Sequence, residues 1–270
     1  MLRIRLLTAI VLIPIVAWLI YLGDLPFLGL IAVLTTLAEI EFSRLTARRG
    51  FQPVQLFGVG LVWLSLLDGE FPQWELLNWG TAGILLLSLG WQVLRYRRSK
   101  VSEWTGAIAT GLYVGLSGSY LVRLRGLPGD GLWWTLIAVP VTLLADSVAY
   151  VIGSLWGAHP LAPLLSSGKT VEGYAGGLLA SALVGAFLGW MWGSQAGAGS
   201  AVTWHRGLIL GFIIAALAPV GDLAISMFKR EAGVKDSGNL LPGHGGVLDR
   251  MDSVLFAALI SYAYVVWFAG

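Results

Sequence analysis

Between Ser226 and Asp252 the chain gathers four cations (Lys229, Arg230, Lys235, Arg250), four acids (Glu231, Asp236, Asp249, Asp252), His244 and five glycines. Asp222 lies just upstream. Residues of these types together suit one task above others, holding a polyanion with a metal ion. Glycines let several backbone amides turn toward one anion. Lysine and arginine neutralise phosphate oxygens, and carboxylates hold the hard cation that bridges them.

Spacing sharpens this. Asp222, Ser226 and Lys229 or Arg230 follow at four, then three or four residues, which sets them on one helical face. A carboxylate, a hydroxyl and a cation so aligned can hold a metal and the phosphate it bridges. The plainer alternative for Lys229 and Arg230 is contact with anionic lipid headgroups. Asp249, Asp252 and Ser253 form a second face at a helix start, where the dipole also favours carboxylates. Mg²⁺ needs one or two carboxylates completed by phosphate oxygens and water. Asp222 with Asp249 would serve, and a second cation would match two-metal phosphoryl displacement. His244, set among Gly243, Gly245 and Gly246, is no packed core histidine. It is expected to donate to a phosphate oxygen or to cap the next helix. Zinc is not indicated, since His159 and His205 offer no recognised spacing partner.

A third cluster follows Asp146, running through Tyr150, Gly153 and Gly157 to Ser166-Ser167-Gly168-Lys169-Thr170 and Glu172-Gly173. Gly168-Lys169-Thr170 superficially resembles a phosphate-binding P-loop, but the glycine five residues upstream and a preceding strand are missing. What remains is a Ser/Gly/Lys/Thr cluster at a helix start, an anion cradle.

The elements that position these residues are membrane helices. The chain of 270 residues is 57% hydrophobic and 12% charged, against roughly 25% charged in a soluble domain. Without cysteine it has no disulfide and no thiolate metal site. Apolar runs of bilayer-crossing length predict an all-α polytopic protein with nine spans. These are Leu6–Leu22, Leu25–Leu45, Pro53–Leu67, Trp74–Leu94, Trp104–Leu121, Leu132–Trp156, Gly173–Trp192, Gly207–Phe228 and Leu248–Phe268, the third being short. Arg3 and Arg5 precede the first run without a clear cleavage site after it, so a removed signal peptide is not expected. With the N-terminus cytoplasmic and the C-terminus outside, fourteen of the seventeen basic residues fall inside, and only Arg123, Arg125 and Arg206 outside.

The two parts differ. Residues 1–103 read as helices for packing, lipid access or dimer contacts. Residues 104–270 read as the catalytic region, with cytoplasmic loops at 157–172 and 229–248. In the first part Glu39 and Glu41 stand near the cytoplasmic end of a span, where helical spacing suggests a pair with Arg44; support of a nearby site is the alternative. In the second part Asp146 and Asp222 lie inside apolar runs. A carboxylate at mid-membrane costs ~3 kcal/mol or more and so marks function. Pro140 and Pro219 precede them and either kink their helices, freeing a carbonyl near each acid, or simply set helix packing. Small-residue pairs at four-residue spacing (Gly111/Gly115, Gly153/Gly157, Gly173/Gly177) predict close helix approach.

Ser226-x-x-Lys229-Arg230, Lys235-Asp236, His244-Gly245-Gly246 and Asp249-Arg250-x-Asp252 together resemble, in order and spacing, the signature of the phosphatidate cytidylyltransferases (CDP-diacylglycerol synthases). Gly221-Asp222-Leu223, the Asp146…Gly157 run, Lys169-Thr170-x-Glu172-Gly173 and Tyr113-Val-Gly115 with Arg123 are similar too, so the resemblance covers roughly residues 105–268. The chain departs from the family pattern at Ser167, where proline is common, and at Ser154, where a basic residue often stands. The resemblance implies cytidylyl transfer from CTP to phosphatidic acid with Mg²⁺, in a homodimer of a bacterial inner membrane, and no nucleic acid partner. It implies Asp222 and Asp249 as metal ligands, with Asp146 and Asp252 as further ligands or their supports. Lys229, Arg230, Lys235 and Arg250 would neutralise phosphates. Ser166, Lys169, Thr170, Ser226, Asp236, His244, Gly245 and Gly246 would contact substrate. The nearest rivals are a polyprenol kinase or a CDP-archaeol synthase. A transporter would explain the buried acids but not the cationic glycine-rich loop. The CDP-alcohol phosphotransferase pattern is absent.

Overall fold

In lipid every backbone N–H and C=O must be satisfied within the segment, so long apolar runs fold as helices. A computed structural model of the chain describes residues 2–47, 54–95, 101–240 and 245–269, with side chains from Leu12 onward. Its helices are α1 (Leu2–Leu22), α2 (Asp24–Ala47), α3 (Gln55–Glu70), α4 (Leu76–Leu94), α5 (Val101–Arg125), α6 (Gly131–Trp156), α7 (Val171–Ala196), α8 (Trp204–Leu217), α9 (Pro219–Glu231) and α10 (Leu248–Tyr264). Beyond α10, Val265–Ala269 widens into a π-helical turn. One small antiparallel hairpin, β1 (Pro160–Ala162) with β2 (Ser166–Thr170), interrupts this all-α pattern, pairing Pro160 with Thr170 and Ala162 with Ser166.

Helices stand at each position where the apolar runs predict them. Among the described residues six segments are long and apolar enough to cross a membrane: α2, α4, α6, α7, α8 with α9, and α10 with its π turn. The chain is an integral membrane protein, and its surface fits that solvent. α4 exposes Trp79, Leu86, Leu87, Val93 and Leu94 along one helix, an apolar surface that water would penalise and acyl chains do not. Pro219 breaks its helix: α8 ends at Leu217, Ala218 forms a turn, and the proline opens α9. Pro140 lies within the continuous helix α6.

The chain forms two compact units. The first comprises Met1–Arg123 with Phe228–Met251. Within it α2 packs on α1 and α3, and α3 on α4. Phe42 meets Tyr113 and Phe228 edge-on, with ring centroids 6.0 and 4.9 Å apart. Two polar knots pin these helices. Glu39, fully buried, accepts hydrogen bonds from Ser43 and Thr110 hydroxyls, both at 2.8 Å. Asp68 pairs with Arg123 and accepts the Leu77 amide at 2.9 Å.

The second unit comprises Leu124–Met227 with Asp252–Gly270. There α7 packs along both α6 and α8, over a core that includes Trp134, Ile137, Leu210, Ile214 and Tyr264. The α7–α8 seam is a close approach at glycines outside the predicted pairs. A Cβ on Gly185 would stand 2.2 Å from the Gly207 carbonyl oxygen, and one on Gly207 the same distance from that of Gly185. Only glycine permits this approach. Gly173 and Gly177, flagged in the sequence, lie against the carbonyls of Ala149 and Ala145 on α6.

Candidate active site

Two clusters of chemically active side chains emerge, one in each unit. In the second unit the hairpin carries the cation and α9 the acid. Thr170 ends β2 and caps α7, its hydroxyl accepting the Gly173 amide at 3.1 Å. One residue earlier on the same strand, Lys169 reaches Asp222 Oδ2 at 2.5 Å. Ser226 donates to Asp222 Oδ1 at 3.3 Å, as the four-residue spacing predicts. The hairpin base is clamped by Glu172. Its Oε2 accepts the amides of Ala158 and His159 at 3.1 and 3.2 Å, and its Oε1 lies 2.5 Å from His159 Nδ1. Lys169 and Asp222 therefore stand as a preformed, partly exposed ion pair. Gly168-Lys169-Thr170 lies within a strand leading into α7, which is not a P-loop arrangement. Ser166 sits at the other end of that strand. Asp146 lies exposed on α6, and Asp252, buried, accepts the Ser253 amide at 2.7 Å.

In the first unit Asp249 organises the glycine-rich loop. Its Oδ1 pairs with Lys229 Nζ at 2.7 Å. Its Oδ2 accepts three donors: the Ser237 amide at 2.8 Å, the Ser237 hydroxyl at 2.9 Å and the Gly246 amide at 3.0 Å. Both ends of the loop are thus tied to one carboxylate. Gly245 takes φ +82°, a backbone state that L side chains resist. Arg230, Lys235, Asp236 and Arg250 are exposed around this knot. His244 lies outside the described residues, as do the loop-inside cations Arg48, Arg49, Arg97, Arg98 and Lys100.

Lys229 pairs with Asp249, and Lys169 of the hairpin pairs with Asp222. The suggested pair of Glu39 or Glu41 with Arg44 is corrected. Arg44 is exposed, and among the described residues it pairs with neither. Glu41 instead accepts the Ser237 hydroxyl at 3.0 Å and the Leu248 amide at 2.8 Å. Sequence reasoning missed Ser237, which was legible inside the signature; Glu41, 196 residues away in sequence, had support of a nearby site only as its alternative reading, and its contacts are of that kind.

Fit to a divalent cation can be judged from these donors. Asp222, with Ser226 beside it, supplies the single carboxylate that Mg²⁺ needs when phosphate oxygens and waters fill the remaining positions. Asp249 has both oxygens committed to four donors. Among the described residues no group of three or more acids or histidines forms an all-protein cage. The site suits a cation carried in with a phosphate substrate.

Comparison with known proteins bears on the chemistry. The model of the cytidylyltransferase family matches residues 3–268, well beyond the stretch covered by the signature motifs. A phosphatidate cytidylyltransferase of Bacillus subtilis (strain 168) is 31% identical over 269 residues, covering 98% of each chain. One of Brucella abortus biovar 1 (strain 9-941) is 35% identical over 282 residues, covering 99% of this chain and 94% of the relative.

Proposed function

The chain belongs to the cytidylyltransferase family and is a nucleotidyltransferase, and we propose that it converts CTP and phosphatidic acid into CDP-diacylglycerol and pyrophosphate. The observation that carries this reading is the loop from Lys235 to Gly246, closed on Asp249 and surrounded by exposed cations. It supports binding of a triphosphate.

In the proposed reaction a phosphate oxygen of the lipid attacks the α-phosphorus of CTP. The bond from that phosphorus to the bridging oxygen of the β-phosphate breaks, and its electron pair leaves with pyrophosphate. Phosphatidate is already ionised at neutral pH, so no general base is required. The barrier is the meeting of two anions, and what lowers it is charge neutralisation and alignment. Lys229, Arg230, Lys235 and Arg250 neutralise phosphate oxygens, while loop amides at Gly245 and Gly246 and the hydroxyls of Ser166, Thr170 and Ser226 orient them. Asp236 and His244 are further contacts. Lys169 holds Asp222 in place until substrate arrives. A bound Mg²⁺ would supply Lewis-acid stabilisation of the charge on the phosphates; Asp222 would hold it, with Asp146 and Asp252 as further carboxylates, and a second cation is proposed in keeping with two-metal displacement. Asp249, the other acid proposed for metal, is held by Lys229 and the loop amides in the structure.

The proposed topology has nine spans, a cytoplasmic N-terminus and an external C-terminus, in a bacterial inner membrane and as a homodimer. The sorting of fourteen basic residues to one side supports the span number and orientation, and the membrane and the homodimer follow from the family reading. CTP then arrives from the cytoplasm and phosphatidate laterally from the bilayer. Pyrophosphate release by purified protein, with Mg²⁺ and phosphatidic acid, tests the reading. CTP should support release and ATP should not. Pyrophosphate release with ATP and not CTP would indicate adenylyl transfer instead, and ADP formation without pyrophosphate would indicate a lipid kinase.

A further inference from the structure

Glu41 lies on α2, far in sequence from the loop it touches, and is only 3% exposed. One of its oxygens, Oε2, accepts the Leu248 amide at the first residue of α10 and the hydroxyl of Ser237. The same hydroxyl lies 2.9 Å from Asp249 Oδ2. A serine hydroxyl has one proton to give, so two carboxylates converge on one donor; the backbone amides of Ser237 and Gly246 also reach Asp249 and that of Leu248 reaches Glu41 Oε2, while Glu41 Oε1 is buried with no hydrogen-bond partner among the described residues. The glycines of the loop are shaped around this acid. A Cβ on Gly238 would stand 2.4 Å from Glu41 Oε1, and one on Gly246 would stand 2.3 Å from Oε2. Neither glycine has a positive φ, so backbone freedom does not account for them; room for the carboxylate does. The next residue, Phe42, is locked between Tyr113 and Phe228, which fixes the height of Glu41 relative to the loop.

We propose that Glu41 is the positioning residue of the nucleotide loop, a membrane-helix carboxylate whose reach holds Ser237 and the start of α10 at the separation that binds the triphosphate of CTP. The proposal rests on the cytidylyltransferase reading for its ligand and on contacts within one unit for its geometry. Asp249 ties the loop to itself; Glu41 ties it to the membrane helix, so that the loop is aimed as well as closed.

The test compares Glu41→Ala, Glu41→Gln and Glu41→Asp in full-length protein by two readouts. Hydrogen–deuterium exchange over residues 235–250 is followed without nucleotide, and KM is measured separately for CTP and for phosphatidic acid. Loss of charge-assisted hydrogen bonds in the alanine variant should speed exchange and raise the KM for CTP by about 10-fold or more each, leaving the KM for phosphatidic acid within about 2-fold. Glutamine keeps the reach and an acceptor oxygen and should restore both values to within about 3-fold; aspartate keeps the charge but is one methylene short and should not. If the alanine variant does not yield folded protein, the glutamine–aspartate comparison decides. Rescue by aspartate rather than glutamine, unchanged loop exchange in folded alanine protein, or equal rises in both KM values would overturn the proposal. Wild-type protein that ignores CTP would sink the functional reading instead, while the exchange data would still decide the role of Glu41.

Discussion

At the scale of single residues, two lysine–aspartate pairs carry different burdens. The Lys169–Asp222 pair keeps about a quarter of each side chain accessible, while the Lys169 nitrogen itself is buried against the acid. Asp222→Asn should lower turnover by about 100-fold or more in folded protein; retained turnover would remove Asp222 from the metal assignment. The Lys229–Asp249 pair is nearly buried, at 11% and 7% exposure. Lys229→Met would leave a buried carboxylate held by three remaining donors. It should cost about 2–3 kcal/mol, the worth of one strong charge-assisted bond. Adding Asp249→Asn should return part of that stability without returning activity, a contrast read by pairing thermal unfolding with turnover. Stability that falls further in the double variant would mean that Asp249 folds the loop without needing its lysine.

At the scale of elements, precision comes from glycine seams and caps. The α7–α8 contact places Gly185 and Gly207 carbonyl to Cα, and α7 carries at its start the Thr170 cap that fixes the Lys169 strand. Gly185→Leu should therefore destabilise by at least about 1–3 kcal/mol through overpacking, with thermal unfolding as the measure. A wild-type melting point would mean that the helices part at no cost. Here the limits of sequence reading become physical. The helices were legible because lipid allows the backbone few alternatives, and the Pro219 break because proline cannot continue a hydrogen-bond ladder. The hairpin was read as a loop because its strands, Pro160–Ala162 and Ser166–Thr170, are too short for an alternating pattern. Helical spacing placed Ser226 by Asp222 but could not show that Lys229 pairs with Asp249, since spacing shows neighbours along a helix and not the partner offered by another. For the same reason Glu41 read first as an interfacial acid and only alternatively as support of a nearby site.

At the scale of the whole molecule, both the fold class and the family were legible, because the signature from Ser226 to Asp252 is local and apolar length is additive. The topology rests on charge sorting and can be mapped directly, since the chain has no cysteine of its own. In right-side-out vesicles, Ala198→Cys should react with an impermeant maleimide and Ser99→Cys should react only after permeabilisation. Labelling in the reverse order would invert the proposed orientation and move the nucleotide loop to the outside. The central claim is that the α-phosphorus of CTP becomes part of a lipid. The most direct measurement gives purified protein phosphatidic acid and Mg²⁺ with CTP labelled at either the α- or the γ-phosphorus, and counts radioactivity in the organic phase. The account predicts that α-label enters the lipid, that γ-label leaves as pyrophosphate, and that Asp222→Asn abolishes both. Organic-phase γ-label, or none from either position with folded protein, would contradict it.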